Sequence, residues 1–180
     1  MIPIKSGKRR YSLLIGRITE FYSATIKKLA LIQKRGFAQI APASKIAGVR
    51  HICAALEHAI SAGENGGAFT KNLELEFLVR LFGEKQLNAA LSKAEFGDED
   101  VALLIESGAG AKATKKIVEI KKALNFEEIK GIKASALGKN KKELMEFYKI
   151  GETELATLSD LDDALEELVI ERISFVALER

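Results

Sequence analysis

Apolar residues between Val49 and Leu91 recur at steps of three and four: Ile52, Leu56, Ala59 and Ile60, then Leu75, Leu78, Val79 and Phe82, then Leu87, Ala90 and Leu91. Such steps place each set on one helical face, so the spacing predicts three short helices sharing a small core. The third follows a compact polar step, Gly83-Glu84-Lys85-Gln86. On either side of this block the pattern changes. Tyr11–Ile18 and Asp100–Glu106 are short apolar runs that read as buried strands, with a bulge or bend at Gly16. Phe21–Lys34 reads as a helix stopped by Gly36, and Phe37–Ala41 as a strand ended by Pro42. Ser44 and Asn72 are candidate helix caps. Lys112–Leu124 reads as a lysine-rich amphipathic helix, and Phe126–Lys133 as either a short strand or an irregular connection. Lys139–Tyr148 reads as a helix, Glu152–Leu158 as one turn, and Leu161–Leu178 as a long final helix.

Strands are few and widely spaced while helices dominate the centre and the C-terminus. That order predicts an α+β fold: a single domain over residues 11–180 with a small mixed or antiparallel sheet. Residues 1–10 carry Lys5, Lys8, Arg9 and Arg10 and read as a basic flexible arm. The chain has 180 residues, enough for its own core, with 47% hydrophobic and 29% charged residues, which fits a soluble globular protein. A net charge of +3 permits nucleic-acid binding through a local patch without demanding it. One cysteine, Cys53, rules out an internal disulfide and fits a reducing, cytoplasmic setting. No apolar run is long enough to span a bilayer, so no membrane association is expected.

Candidate chemistry is sparse. Ser107-Gly108-Ala109-Gly110-Ala111-Lys112-Ala113 follows a strand, opens a helix and matches the glycine pattern that lets a pyrophosphate approach a helix N-terminus. A nucleotide-binding enzyme using the Gly108–Gly110 turn is therefore the alternative reading of the chain. Against it, no adjacent parallel strand is evident, and glycines also end strands for steric reasons. His51, Cys53, Glu57 and His58 lack the second ligand pair of a zinc site, so no metal and no cofactor are expected. Glu74 and Glu76 lie two apart and cannot share a helix face as an acid–base pair; Glu76 and Glu171, set in apolar stretches, call for an ion pair or a helix-end hydrogen bond. Nothing marks a catalytic triad. The final helix is apolar on more than one stripe, so it is either buried in its own core or shared with a partner. Lys71, Arg80, Lys85 and Gln86 flank the central helices, where a helix start and cations together suit a phosphate.

Several segments in order resemble one family: SKIAGVRHICAALEHAISA, KNLELEFLVRLFGEKQLNAAL, DVALLIES and YKIGETELATLSDLDDALEELVIERISFVAL. Together they are similar to the KEOPS subunit that docks on the complex's small atypical kinase, the PRPK-binding protein family, over about Tyr11 to Leu178. The resemblance implies a noncatalytic subunit in the formation of threonylcarbamoyl-adenosine beside the anticodon of tRNAs. Another subunit performs the transfer and the kinase-like subunit hydrolyses ATP. It also implies a grip on the 3′ CCA tail of tRNA, as in archaeal members, and the size and basic pI look archaeal. By position the family's R-Q-I step falls on Lys85, Gln86 and Leu87, with lysine in place of arginine and its planar fork. Gln86 would meet a base edge and Leu87 an unstacked base. Lys71 matches a family lysine near the tail, and Arg80 joins on charge alone. Leu168, Ile170 and Ile173 of the final helix become the expected kinase-docking surface.

Overall fold

A computed structural model describes residues 1–129, 137, 140–158 and 161–178. It is an α+β fold, as the element pattern predicts, with an antiparallel sheet. The chain divides into two compact units, the first from Met1–Ala43 and Ala94–Ile132, the second from Ser44–Lys93 and Lys133–Arg180.

The first unit holds the sheet. Strands β1 (Ile2–Ser6), β2 (Arg9–Ile18), β4 (Val101–Glu106) and β3 (Ala38–Pro42) lie in the order β1-β2-β4-β3, and β5 (Phe126–Glu128) pairs with β2 beyond the end of β1. Every pairing is antiparallel. Helices α1 (Tyr22–Gln33) and α5 (Ala111–Ala123) supply Leu29, Ile117 and Ile120 to the core cluster, against Leu14, Ile40, Leu103 and Ile105 of the sheet. Alternation decides this: residues two apart on a strand share a face, so one face of the sheet meets the helices.

Two features of this unit depart from the sequence expectation, and an ambiguous third is resolved in part. Residues 1–10, expected as a flexible arm, form a hairpin in which Ile4 and Ser6 are buried, turning at Gly7 with φ +56°. Only two apolar side chains alternate there among basic ones, which hides the strand from a periodicity reading. Gly16 makes no bulge in β2, whose register against β4 runs unbroken from Tyr11 to Gly16. It sits where a Cβ would run into the Glu127 carbonyl and the Phe126 ring, so glycine permits the close approach of β5. The ambiguous stretch Phe126–Lys133 opens as strand β5, and its residues 130–133 lie outside the described residues.

Strand β3 is an outer strand, and two of its outward-facing groups are satisfied by side chains. The Gln33 Nε2 amide donates to the Ala38 carbonyl at 2.9 Å, and the Ile40 N–H donates to Gln39 Oε1 at 2.9 Å.

The second unit is helical: α2 (Val49–Glu64), α3 (Leu73–Leu81), α4 (Leu87–Ala94), α6 (Lys141–Tyr148), α7 (Glu152–Ala156) and α8 (Leu161–Leu178). Ile52, Leu56 and Ala59 of α2, Leu78 and Val79 of α3, and Ala90 of α4 are buried, as their spacing predicts. Asn72 caps α3, its side chain accepting from the Leu75 N–H at 3.0 Å. Ser44 is not a cap: Ala43–Lys45 is a 3-10 turn and α2 begins after Gly48. The capping carboxylate comes from α8 instead, since Glu166 Oε1 accepts from the His51 N–H at 2.9 Å. A Cβ on Gly48 would strike that carboxylate, so glycine leaves room for a cap delivered from distant sequence.

Candidate functional site

Helix α3 ends in two hydrogen bonds that form a Schellman turn. The Glu84 N–H donates to the Val79 carbonyl at 3.0 Å and the Gly83 N–H to the Arg80 carbonyl at 3.2 Å, with Gly83 at φ +60°. The last carbonyl of the helix, Leu81, accepts from two buried side chains: His51 Nε2 at 2.9 Å and the Tyr148 hydroxyl at 3.1 Å. His51 Nδ1 accepts the Ala47 N–H at 3.3 Å, which leaves Nε2 as the protonated nitrogen of a neutral ring. Burial drives the His51 pKa down to about 4, with the Leu81 carbonyl opposing part of the shift. Burial likewise holds the Tyr148 hydroxyl well above its usual range. Both groups are structural: they fix where the chain leaves α3 and enters α4.

That exit carries three of the residues singled out from sequence. Lys85 and Gln86 are exposed and Leu87 is half-buried at the start of α4. The other two stand apart from them. Lys71 is exposed but precedes the opposite end of α3; nine residues at a rise of 1.5 Å separate the two ends by roughly 13 Å.

Arg80 does not belong to an exposed cation set at all. It is 2% exposed, its Nε donates to Glu76 Oε1 at 2.8 Å, its Nη2 donates to the Gly67 carbonyl at 3.0 Å, and its guanidinium lies 4.8 Å over the Phe69 ring. Glu76 Oε2 in turn accepts from the Thr70 N–H at 2.9 Å. The buried pair therefore ties the loop before Lys71 to α3. It answers the question Glu76 raised in sequence, where a carboxylate in an apolar stretch needs a partner. Glu171 needs none for that reason, because it is exposed.

Beside the Lys85 step the fold builds a cluster that sequence reasoning missed. Lys93 Nζ pairs with Glu84 Oε1 at 2.6 Å and sits 4.4 Å over the Phe147 ring. Lys45 Nζ lies 5.7 Å from the same ring and donates to the Lys93 carbonyl at 2.7 Å. Residues 45, 93 and 147 share no motif; only the packing of α6 beside α4 unites them.

The three residues expected at a docking surface divide as well. Leu168 and Ile173 are 5% and 0% exposed and belong to the interior of the helical unit, where α8 meets α2 and α3; Ile173 lies against Gly83. Ile170 is half-buried. A helix apolar on most sides gives no phase from which to choose its outer face. The exposed stripe runs through Asp163, Glu167, Glu171 and Phe175 at four-residue steps, with Glu167 paired to Arg50 at 2.6 Å. Phe175 is 51% exposed.

The Gly108–Gly110 turn does not form a dinucleotide fold. Strand β4, which precedes it, runs antiparallel to both neighbours β2 and β3, so there is no parallel crossover unit to place a pyrophosphate at a topological switch. Among the described residues no group of three or more His, Cys, Asp or Glu side chains could hold a metal ion, and both ring nitrogens of His51 are taken by the backbone. No helix among the described residues is long and apolar enough to cross a membrane.

No curated protein matches the chain. The family described as kinase binding protein CGI-121 matches residues 22–176, a span that includes α2, α3, the Lys85 step and most of α8. The chain therefore belongs to the CGI-121 family of kinase-binding proteins.

Proposed function

We propose that this protein is a noncatalytic, cytoplasmic subunit of a KEOPS tRNA-modification complex, archaeal in type, that docks on the small atypical kinase and binds the 3′ CCA tail of tRNA. In this role it supports threonylcarbamoyl-adenosine formation without performing the transfer. The observation that carries the RNA part is the exposed Lys85–Gln86 step at the start of α4 in a member of a kinase-binding family. A lysine beside a helix start suits a phosphate, an exposed amide suits a base edge, and half-buried Leu87 suits the face of an unstacked base. Lys71, at the other end of α3, would meet a more distant phosphate. Arg80 serves by holding the loop that carries Lys71. For the kinase, Phe175 together with Glu171 offers an apolar and acidic edge, with half-buried Ile170 at the other margin of the exposed stripe, while Leu168 and Ile173 hold that helix in place from inside.

The test is tRNA affinity measured with intact tRNA and with tRNA lacking the CCA end, at two salt concentrations. Lys85→Glu weakens binding to intact tRNA by roughly tenfold and lowers the salt slope by about one. Equal affinity for both tRNAs, or no effect of Lys85→Glu, sinks the tail-binding assignment. Loss of kinase association in a pull-down of Phe175→Glu, with tRNA binding intact, is the matching result for the docking edge; unchanged association removes that edge.

A further inference from the structure

The sheet unit contains an open cleft of about 750 Å³ on the helix-facing side of the β1–β2 hairpin, between that hairpin and the first turns of α5. Lys5 and Arg10 line it and are cross-strand partners in the hairpin register. Directly opposed like charges destabilise a strand pair, yet both are cations and both are exposed. The described lining of the cleft contains no carboxylate to offset them. The groups beside the cations are polar without being acidic. Ser12 follows Arg10 on the same face of β2, and its Oγ donates to the Ser107 Oγ at 2.9 Å, which leaves the Ser107 hydroxyl hydrogen able to donate onward. The Ser107 and Gly108 N–H groups both donate to the Arg10 carbonyl, at 3.0 and 3.3 Å, so the loop is fastened to the strand that carries one of the cations. The floor is apolar, from Ala113 and Ile117 of α5.

We infer that this cleft binds a small phosphomonoester with an apolar or aromatic body, its phosphate between Lys5, Arg10 and the Ser107 hydroxyl. Two opposed cations and a hydroxyl donor are what a dianionic phosphate requires, and the ligand supplies the counter-charge that the lining lacks. The α5 N–H groups that begin at Ala111 add to the same field. The apolar floor takes the body of the ligand, and the cleft volume falls within the usual range for small-molecule sites. No parallel-strand nucleotide fold is invoked, and the inference stands independently of the tRNA reading.

The test is an amide NMR titration of the full chain with AMP and, separately, with inorganic phosphate. AMP produces saturable shifts at Ser107, Gly108, Ala109 and Gly110, and phosphate shifts the same resonances more weakly. In the Lys5→Gln/Arg10→Gln double variant AMP affinity falls about tenfold or more. Without ligand the melting temperature of that variant stays level or rises, because the opposed charges are gone. No saturable shift, or an AMP affinity unchanged in the double variant, overturns the assignment. A short single-stranded RNA lacking terminal phosphates that shifts these resonances as strongly as AMP also overturns it, since the cleft would then be reading a phosphodiester backbone.

Discussion

Replacing Arg80 by methionine removes a cation from the interior, and its effect is set by what stays behind. Glu76 is 1% exposed, and with the guanidinium gone its carboxylate retains the Thr70 N–H at 2.9 Å. Breaking a buried ion pair from one side destabilises by about 3–5 kcal/mol, because the partner charge is left without compensation. The lost bond to the Gly67 carbonyl and the lost contact with Phe69 act in the same direction, each at about 1 kcal/mol or less, and the sum is not additive. Arg80→Met is therefore expected to lose about 4 kcal/mol in urea unfolding at pH 7. For a chain of this size a loss of 3–5 kcal/mol corresponds to roughly 6–20 °C in melting temperature. The double variant Glu76→Met/Arg80→Met removes both charges at once and is expected to recover at least half of the loss, since a hydrophobic replacement of a buried pair is often neutral. A single variant within about 1 kcal/mol of the parent, or a double variant worse than the single, refutes the reasoning.

Stability also depends on pH through His51. Its folded pKa, about 4, lies below the ordinary value of 6.5, so between those limits the unfolded chain holds the extra proton. The contribution is complete above pH 6.5 and is lost as pH falls toward 4, up to about 3 kcal/mol. The gap in stability between the parent and His51→Gln should narrow from pH 7 to pH 4.5; a constant gap rejects the titration. At Gly16, alanine must displace the Glu127 carbonyl and the Phe126 ring, and Gly16→Ala should cost about 1–3 kcal/mol in urea unfolding. A neutral Gly16→Ala would mean that β5 is not held against β2.

Much of this fold is legible in the sequence because the central helices obey one period. Ile52, Leu56, Leu78, Val79 and Ala90 fall on their inward faces, and Asn72 caps α3 as its position suggests. Legibility fails where the decisive contact comes from far along the chain. The cap of α2 is supplied by Glu166, 115 residues away, while the nearby Ser44 lies in a separate 3-10 turn. Leu168 and Ile173 resemble an interface because α8 is apolar on most sides, and only packing shows which stripe faces inward. Arg80 was readable in another way. It stands four residues after Glu76 in a helix whose remaining residues are apolar except for Glu74, a spacing that suits a buried pair better than a surface cation. Of the expected RNA contacts, the fold keeps Lys85, Gln86 and Leu87 together because they are consecutive. Lys71 matches a family lysine by its place in the sequence, which carries no distance, and Arg80 joins on charge alone, which carries no burial.

The chain has two prolines, Pro3 and Pro42, and each stands on an outer strand of the sheet. Proline has no N–H to offer an incoming strand. On the β3 side Gln33 and Gln39 have already taken up a carbonyl and an amide that such a strand would need. Growth of the sheet across molecules is thereby discouraged at both margins, which protects a small half-helical protein from stacking into fibrils. It also means that a binding partner gains little from main-chain pairing and must recognise this protein through its side chains.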